Sequence, residues 1–283
     1  MSLGLRRRAE LSASEIAGLE KAMTAFYKNT PASYYQIADG SAQRYNPKDL
    51  PFHCDLVGRV FPGATVLELG CGTAHLCPYV QARGGTYTGL DHGEALLADN
   101  QRRFPKARFF PVGTPLAETF DLVASLYTVE HVADPPAYLE SLWRFCRPGG
   151  MIVIIGPEFI HGPGLPPGIF FGRTPRRFRE KLLALDLWDA WLHLLDLKIR
   201  GPRWKKSAQA APPGTFWMNL APGVLHGAEY YIDADAVHIA CLKDLVWFFE
   251  QKGARILQTS TSLPGVAPEL LDYTSYLVIQ KPE

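Results

Sequence analysis

The feature of the sequence that most constrains its fold is an alternation that begins near Pro51. From there, short apolar runs of β-strand character are separated by segments with helical character. The apolar runs occupy residues 65–69, 85–90, 107–112, 120–126 and 151–155. Strands that alternate with helices are typical of βαβ units, which build a mostly parallel sheet. We therefore predict an α/β fold, with helices at residues 95–103 and 136–145 among those that cover the sheet.

This alternation also predicts the domain organisation. After Gly156 it stops, and the next 76 residues are rich in Pro, Gly and Trp, with four of the six tryptophans of the chain. The predicted regions are an N-terminal helical extension at 1–50, a core at 51–156, a mainly helical cap inserted after the fifth strand at 157–232, and the rest of the core at 233–283. In the last region we expect a helix at 236–252 and strands at 254–259 and 273–280.

Composition excludes several classes of protein. The 29 Lys and Arg residues are balanced by 28 Asp and Glu residues, whereas a nucleic-acid binder is usually clearly basic. The five cysteines lack the spacing of a zinc or redox motif. No apolar run follows Arg6, Arg7 and Arg8 as in a signal peptide, and none reaches the roughly 20 residues of a membrane span. We expect a cytoplasmic protein that binds no nucleic acid.

A glycine-containing turn follows the first strand, in the segment Glu68-Leu69-Gly70-Cys71-Gly72-Thr73. Glycines at a strand-to-helix turn let the backbone approach a ligand closely. A dinucleotide site would need a third glycine, where this chain has His75. An acidic residue two positions before the first glycine suits a ligand with a cationic end instead. The second strand ends at Asp91, where a carboxylate can accept both hydroxyls of a ribose.

These motifs resemble those of the class I methyltransferases that depend on S-adenosylmethionine (SAM), in the small-molecule branch called methyltransferase type 11. The matching segments are Val66-Leu67-Glu68-Leu69-Gly70-Cys71-Gly72-Thr73, Gly89-Leu90-Asp91, Phe120-Asp121-Leu122-Val123, Glu130-His131-Val132 and Leu142-Trp143-Arg144-Phe145-Cys146-Arg147-Pro148-Gly149-Gly150. The resemblance covers about residues 50–158, and residues 233–283 more weakly. It implies a Rossmann-like sheet with helices on both faces, and SAM as the cofactor.

The resemblance also implies a set of cofactor contacts. Glu68, Gly70, Cys71 and Gly72 would hold the methionine part of SAM, and the end of the second strand would hold the ribose. The segment after the third strand would line the adenine, and the end of the fourth strand would face the reactive methyl group. The expected cofactor-binding residues are Glu68, Gly70, Cys71, Gly72, Asp91, His92, Gly113, Thr114 and Leu126.

Two departures from the family pattern matter. Many relatives carry Asp after the third strand, where this chain has Gly113 and Thr114, so backbone groups or Thr114 would contact the adenine. Ubiquinone O-methyltransferases resemble this chain around Glu130 and His131, but carry another Glu three residues earlier as part of a metal site. Tyr127 stands at that position here. We therefore predict no catalytic metal and a different acceptor.

The inserted region is unusually basic. Residues 172–206 contain ten basic and four acidic side chains, in a chain of net charge +1. Within residues 182–197 the polar side chains fall at helical spacing and leave a wide apolar surface. This pattern favours a core helix of a lid with solvated basic ends. The alternatives are capture of an anionic substrate, a homodimer interface, and contact with a membrane surface, which is not favoured.

The sequence thus predicts a SAM-dependent methyltransferase whose insertion covers the cofactor cleft and selects a small-molecule acceptor. The acceptor group is expected to be a hydroxyl, on an anionic compound or a glycan or natural-product intermediate. His131 is the first candidate for general base, with His226 and Glu229 as alternatives, and Tyr127 is placed to contact the acceptor. Three alternatives stay open: a protein that binds SAM without methyl transfer, a lipid-like acceptor at a membrane surface, and an NAD enzyme, which His75 and Glu68 disfavour.

Overall fold

The computed structural model describes residues 4–29, 50–227 and 233–283. Its strands are β1 Leu5–Arg7, β2 Thr65–Leu69, β3 Thr86–Asp91, β4 Arg108–Pro111, β5 Phe120–Leu126, β6 Cys146–Pro157, β7 Trp217–Asn219, β8 His238–Ile239, β9 Arg255–Thr259 and β10 Thr274–Gln280. Its α-helices are α1 Ala13–Lys28, α2 Pro51–Gly58, α3 Cys77–Ala82, α4 Glu94–Arg103, α5 Pro135–Phe145, α6 Phe178–Leu183, α7 Leu187–Leu195, α8 Gly201–Ala210, α9 Leu242–Gln251 and α10 Pro268–Tyr273. Short 3₁₀ turns at Arg8–Glu10, Val129–His131 and Gly223–His226, and a π turn at Asp196–Arg200, complete the elements.

A seven-stranded sheet forms the centre of the molecule, in the order β4-β3-β2-β5-β6-β10-β9. Strands β2 to β6 are parallel, and β10 pairs antiparallel with both β6 and β9. Alternate residues of β6 show that both faces are covered. Ile152 and Ile154 pack with α5 and α9 on one face, while Val153 and Ile155 pack with α2, α3 and α4 on the other. The predicted Rossmann-like sheet with helices on both faces is confirmed.

The N-terminal extension and the insertion meet in a second, three-stranded sheet of order β1-β7-β8. Leu5 pairs with Asn219, and Met218 pairs with His238. Behind this sheet, α1 buries Leu19 and Met23 in a small core with Met218 and Val237. An ion pair between Arg8 and Asp134, 2.8 Å long, joins the 3₁₀ turn before α1 to the residue that caps the start of α5. The extension is therefore fastened both to the insertion and to the central domain.

Two predicted boundaries were wrong. The segment Arg147-Pro148-Gly149-Gly150 was predicted to be a turn, but it lies inside β6, and its irregularity appears as a register shift against β5 between Phe120 and Leu122. The helix expected at 236–252 begins only at Leu242, because His238 and Ile239 are extended to pair with β7.

Helix α7 also differs from the expectation of a buried core helix. Its acidic side faces inward: Asp189 is 1% exposed, and Asp196 just beyond the helix is 5% exposed. Its aromatic side faces outward, with Trp188 58% and Trp191 51% exposed. Hydrogen bonds explain the inversion, because Asp189 accepts from the Thr174 hydroxyl and forms an ion pair of 3.2 Å with a buried Lys181.

Among the described residues, no helix has the length and apolar character needed to cross a bilayer.

Candidate cofactor and acceptor site

A cleft of about 990 Å³ opens at the carboxyl ends of β2, β3 and β5. This is the edge where open α/β sheets bind their ligands. All nine residues expected to bind the cofactor lie on its wall, from Glu68 in β2 to Leu126 at the end of β5. Helix α1 forms a further wall of the cleft, which the sequence did not predict. Its lining residues are Glu20, Met23, Thr24 and Tyr27.

The glycine turn after β2 forms the floor of the cleft. The Gly70 and Cys71 N–H groups donate to the Leu90 carbonyl, at 2.8 and 3.0 Å, which ties the turn to β3. Gly70 has a φ of +75°, and a Cβ atom there would lie 2.3 Å from the Thr128 side chain. Only glycine fits this backbone and this approach. The turn is thus a cradle in which a ligand contacts main chain directly.

Glu68 lies under this cradle with 3% exposure and accepts a hydrogen bond from the Tyr87 hydroxyl. Burial, reinforced by the nearby Asp91 charge, raises the pKa of Glu68 to about 8. A nearby positive charge favours the ionised form and would lower that pKa again. The site therefore suits a ligand with a cationic group, as the acid before the first glycine indicated. The Cys71 thiol beside it is buried, which raises its pKa and disfavours a reactive thiolate.

Asp91 at the end of β3 holds two loops in place. Its carboxylate accepts from the Gly72 N–H at 2.9 Å and from the Gly93 N–H at 3.1 Å. Each carboxylate oxygen has two lone pairs, so the same group can still accept from ribose hydroxyls. Next to it, burial lowers the pKa of His92, which favours its neutral form. Asp91 thus has a structural role that the sequence did not predict, while the ribose contact stays a prediction.

The segment after β4 supplies the third part of the wall. Val112, Gly113 and Thr114 line the cleft, and Gly113 has a φ of +92° that turns the chain back towards it. The Thr114 hydroxyl donates to the Pro111 carbonyl at 2.7 Å, which closes this turn. None of these three residues carries a carboxylate, so an adenine ring would contact backbone groups and the apolar side chains of this segment.

Residues that the sequence did not single out support the cradle from behind. The amide of Asn100, fully buried in α4, donates to the Gly72 carbonyl at 2.7 Å. The Tyr138 hydroxyl of α5 lies 3.1 Å from the Leu69 carbonyl and 2.8 Å from Ser125 Oγ. Neither contact has a sequence signal, because both depend on how the helices pack. The α1 residues that line the cleft did have a sequence signal, because positions 20, 23, 24 and 27 lie on one face of a helix.

His131 lies at the side of the cleft among carboxylates. Its Nδ1 is 3.5 Å from Asp235 Oδ2, and its Nε2 is 3.6 Å from Glu130 Oε1. The Tyr27 hydroxyl of α1 donates to Asp235 at 2.8 Å and completes the cluster. Burial opposes a charge on His131, but the carboxylates of Asp235, Glu130 and Asp233 outweigh it and raise the His131 pKa. Burial likewise raises the pKa of Glu130.

Part of this cluster could hold a cation. Glu130, His131 and Asp233 each offer one ligand atom, and these atoms lie within 4.8 Å of one another. Both carboxylate oxygens of Glu130 are buried without a hydrogen-bond partner in the described part of the chain. The absence of a catalytic metal stays a prediction, which a chelator in the activity assay tests.

Tyr127 follows β5 in a left-handed conformation, with a φ of +49°. Its N–H donates to the Ile155 carbonyl at 2.7 Å, and its ring stacks on His53 of α2 with 6.0 Å between centroids. His53, which the sequence reasoning missed, is buried, and burial lowers its pKa to about 4. Both rings line the cleft. Tyr127 thus lies where an acceptor could contact it.

The structure does not bring the other catalytic candidates into the cleft. His226 is exposed on its 3₁₀ turn, with its ring against Phe170 at 5.2 Å. Glu229 lies outside the described residues. None of the described residues of the insertion, 157–227, lines the cleft, although Asp233 directly after it does. The described residues of the insertion therefore do not form the predicted cap over the cofactor cleft. Instead, β7 holds β1 and α1 in place, and α1 covers the cleft.

Comparisons with known proteins identify the family. A family model described as a methyltransferase domain matches residues 43–194, more than half of the chain. The chain therefore belongs to this family. A SAM-dependent methyltransferase from Mesorhizobium loti superposes with a TM-score of 0.51 at 17% identity, covering 83% of this chain and 100% of that one, which shows the shared fold. The chain thus contains a methyltransferase domain with the class I fold, and the cofactor of that class is SAM.

The curated relatives include two proteins named ubiquinone biosynthesis O-methyltransferase. That of Pseudomonas entomophila (strain L48) is 31% identical over 121 residues, and that of Pseudomonas putida (strain GB-1) is 33% identical over 121 residues. Each match covers 35% of this chain and 52% of the relative. The chain thus spans about half the length of the curated relatives it matches.

Proposed function

We propose that this protein transfers the methyl group of SAM to a hydroxyl group of a small-molecule acceptor, and that His131 accepts the hydroxyl proton. One observation carries the proposal: the glycine cradle and His131, together with Glu130 and Asp233, line the same cleft. The names of the curated relatives, which are O-methyltransferases, support a hydroxyl as the acceptor group.

The residues around the cradle fit the cofactor. SAM supplies a methyl group that its sulfonium already activates, so the protein mainly has to align an acceptor in a dry pocket. Gly70 gives the backbone its close approach, and Glu68 offers a buried carboxyl to a cationic group. Asp91 holds the loop around Gly72 and can accept from the ribose. Helix α1 forms the wall on this side of the cleft.

The second group of residues suits proton transfer. Asp235 near one ring nitrogen, with Glu130 and Asp233 close by, raises the His131 pKa, which makes its neutral form a stronger base than an exposed histidine. Buried Asp235 would stabilise the imidazolium that forms and fix the ring, while the Tyr27 hydroxyl holds Asp235. The stacked rings of Tyr127 and His53 add an apolar wall on which an aromatic or other flat acceptor could rest.

The test is a methyl-transfer assay with radiolabelled SAM and a panel of phenols, catechols and sugar alcohols. We expect transfer to at least one hydroxyl class, and His131→Asn should lower kcat by roughly 10²–10⁴-fold while the affinity for S-adenosylhomocysteine stays unchanged. His161→Asn, at an exposed position of the insertion, is the matched control. Binding of S-adenosylhomocysteine without transfer to any hydroxyl would contradict the proposal, as would a His131→Asn enzyme of normal rate. EDTA should leave the rate unchanged.

A further inference from the structure

The surface of the insertion carries an exposed apolar face. Eight of the eleven exposed large hydrophobic residues in the described part of the chain lie between residues 182 and 199. They are Leu182, Leu183, Leu185, Leu187, Trp188, Trp191, Leu194 and Ile199, which we call the α7 face. Leu183 and Leu185 are 85% and 81% exposed, and the rings of Trp188 and Trp191 stack at 4.9 Å in the solvent. Clusters of this kind mark interaction sites.

Specific contacts hold the α7 face outward. Asp189 on the opposite side of the helix pairs with Lys181, and both side chains are almost fully buried. Asp196 accepts from the Gly172 N–H at 2.8 Å and pairs with Arg200 at 3.0 Å. Turning the helix to bury its tryptophans would expose these bonds and leave the buried Lys181 without its carboxylate, which is strongly unfavourable. The outward orientation is thus built into the fold.

The charge of the residues around the α7 face indicates which kind of partner binds there. Among residues 172–206 the exposed basic side chains are Arg173, Arg176, Arg177, Arg179, Lys198, Arg203 and Lys206, whereas the exposed acidic ones are Glu180 and Asp186. The two other acids of this segment, Asp189 and Asp196, are buried and paired. A symmetric contact between two copies would place this basic surface against itself. An anionic partner is therefore favoured over a second copy.

We propose that the α7 face docks on the surface of a lipid bilayer that contains anionic phospholipids. Tryptophan and leucine side chains on a helix with basic neighbours are the pattern of a helix that lies in the headgroup region. The aromatic rings enter the boundary between headgroups and acyl chains, and the arginines contact phosphate groups. The described part of the insertion does not line the cleft, so docking leaves the proposed catalytic residues unobstructed.

The experiment is cosedimentation of the full chain with vesicles, without SAM or an acceptor. Vesicles of phosphatidylglycerol and phosphatidylcholine in a ratio of roughly 1:3 should bind the protein, and vesicles of phosphatidylcholine alone should bind it at least about tenfold more weakly. The double substitution Trp188→Ser with Trp191→Ser, and separately Arg176→Glu with Arg177→Glu, should each lower the partition coefficient by about tenfold or more. Phe61→Ser, at a residue that is 45% exposed outside the insertion, should bind like the unsubstituted chain.

Equal binding of the tryptophan and arginine variants and the unsubstituted chain would overturn the proposal. It would also be overturned if the unsubstituted chain ignored anionic vesicles but sedimented as a dimer that the tryptophan substitutions dissociate, because the α7 face would then be an interface between copies. Since the substituted side chains are exposed, the variants should melt at the temperature of the unsubstituted chain. The outcome is independent of the proposed methyl transfer.

Discussion

At the residue scale, Glu68 shows how one buried acid can select a ligand by charge. Its pKa of about 8 means that the folded chain prefers a proton there, whereas an unfolded chain has the ordinary value of 4.5. The folded state therefore binds this proton more tightly. The stability from this preference is complete below pH 4.5 and is lost as the pH rises through about 8. A cationic ligand would reverse the preference by favouring the ionised carboxylate.

A Glu68→Gln substitution should separate these two effects. In the apo protein it should raise the melting temperature at about pH 8.5 by roughly 2–4 °C per kcal/mol of relieved desolvation, and have less effect at about pH 5. It should also weaken binding of SAM. Differential scanning fluorimetry across this pH range and calorimetry with SAM measure both, and the exposed Glu250→Gln is the control. A Glu68→Gln variant that melts lower than the unsubstituted chain at high pH would refute the assignment.

The double role of Asp91 leads to the second prediction at this scale. Asp91→Ala removes the acceptor for the Gly72 and Gly93 N–H groups as well as the predicted ribose contact. Losses of about 1–3 kcal/mol for unsatisfied groups correspond to a Kd for S-adenosylhomocysteine that is roughly 5- to 150-fold higher. Calorimetry measures this, with Asp99→Ala in α4, a half-buried acid that pairs with Arg102, as the control. An unchanged Kd in the Asp91 variant would remove this residue from the site.

At the scale of elements, helix α1 begins with a capping box. Ser12 accepts from the Glu15 N–H, and the Glu15 carboxylate accepts from the Ser12 N–H. Loss of such a cap costs about 0.5–2 kcal/mol. Because α1 forms one wall of the cleft and packs mainly on a small separate core, we expect this loss to act locally.

Ser12→Ala should therefore loosen α1 and weaken cofactor or acceptor binding, while the melting temperature of the central sheet changes little. Hydrogen exchange should become roughly 2- to 30-fold faster in α1, the factor that corresponds to the loss of a cap. The exposed Lys21→Ala in the same helix controls for a general effect of surface substitutions. Uniform destabilisation of the whole chain would show that α1 does not open independently.

Sequence patterns predicted the elements of the core well and the orientation of α7 wrongly. The parallel strands have buried residues on both faces, so their apolar runs are unmistakable. In α7 the apolar pattern predicts that the tryptophan side is buried. The Asp189 side is buried instead, because Lys181 and Thr174, which lie outside the helix, bind the Asp189 carboxylate. Partners that come from other elements cannot be seen in the periodicity of the helix itself. The same reason kept Asn100 and Tyr138 out of the predicted site.

At the scale of the whole molecule, Asp244 joins the insertion to the central domain. It lies at the start of α9 with 1% exposure and accepts from the Gly214 N–H at 2.8 Å and the Phe216 N–H at 3.1 Å. Asp244→Asn would point an amide group at one of these donors and leave it unpaired. We expect a loss of about 1–3 kcal/mol, or roughly 2–12 °C in melting temperature. The exposed Asp272→Asn should melt normally. Equal melting of both variants would contradict this role.

The large sheet followed from the sequence, and the small one did not. The motifs at Glu68 and Asp91 each mark the end of a strand, which places both at one edge of a parallel sheet. Strands β1, β7 and β8 have only two or three residues each, too few for an alternating pattern. Their pairing is set by tertiary packing. As a result, the cover of the cleft was assigned to the insertion, whereas α1 provides it.

The pairing of β1 with β7 has a consequence for the order in which the chain is completed during synthesis. Leu5 emerges from the ribosome early, but its partner Asn219 follows 214 residues later. The strands β2 to β6, with the glycine turn and Asp91, are all translated before β7. Strands β9 and β10 of the central sheet follow β7, so this sheet and the α1 wall of the cleft can both be completed only after residue 280 has emerged. The cradle and the helix that covers it are therefore assembled together, once all of these strands are available.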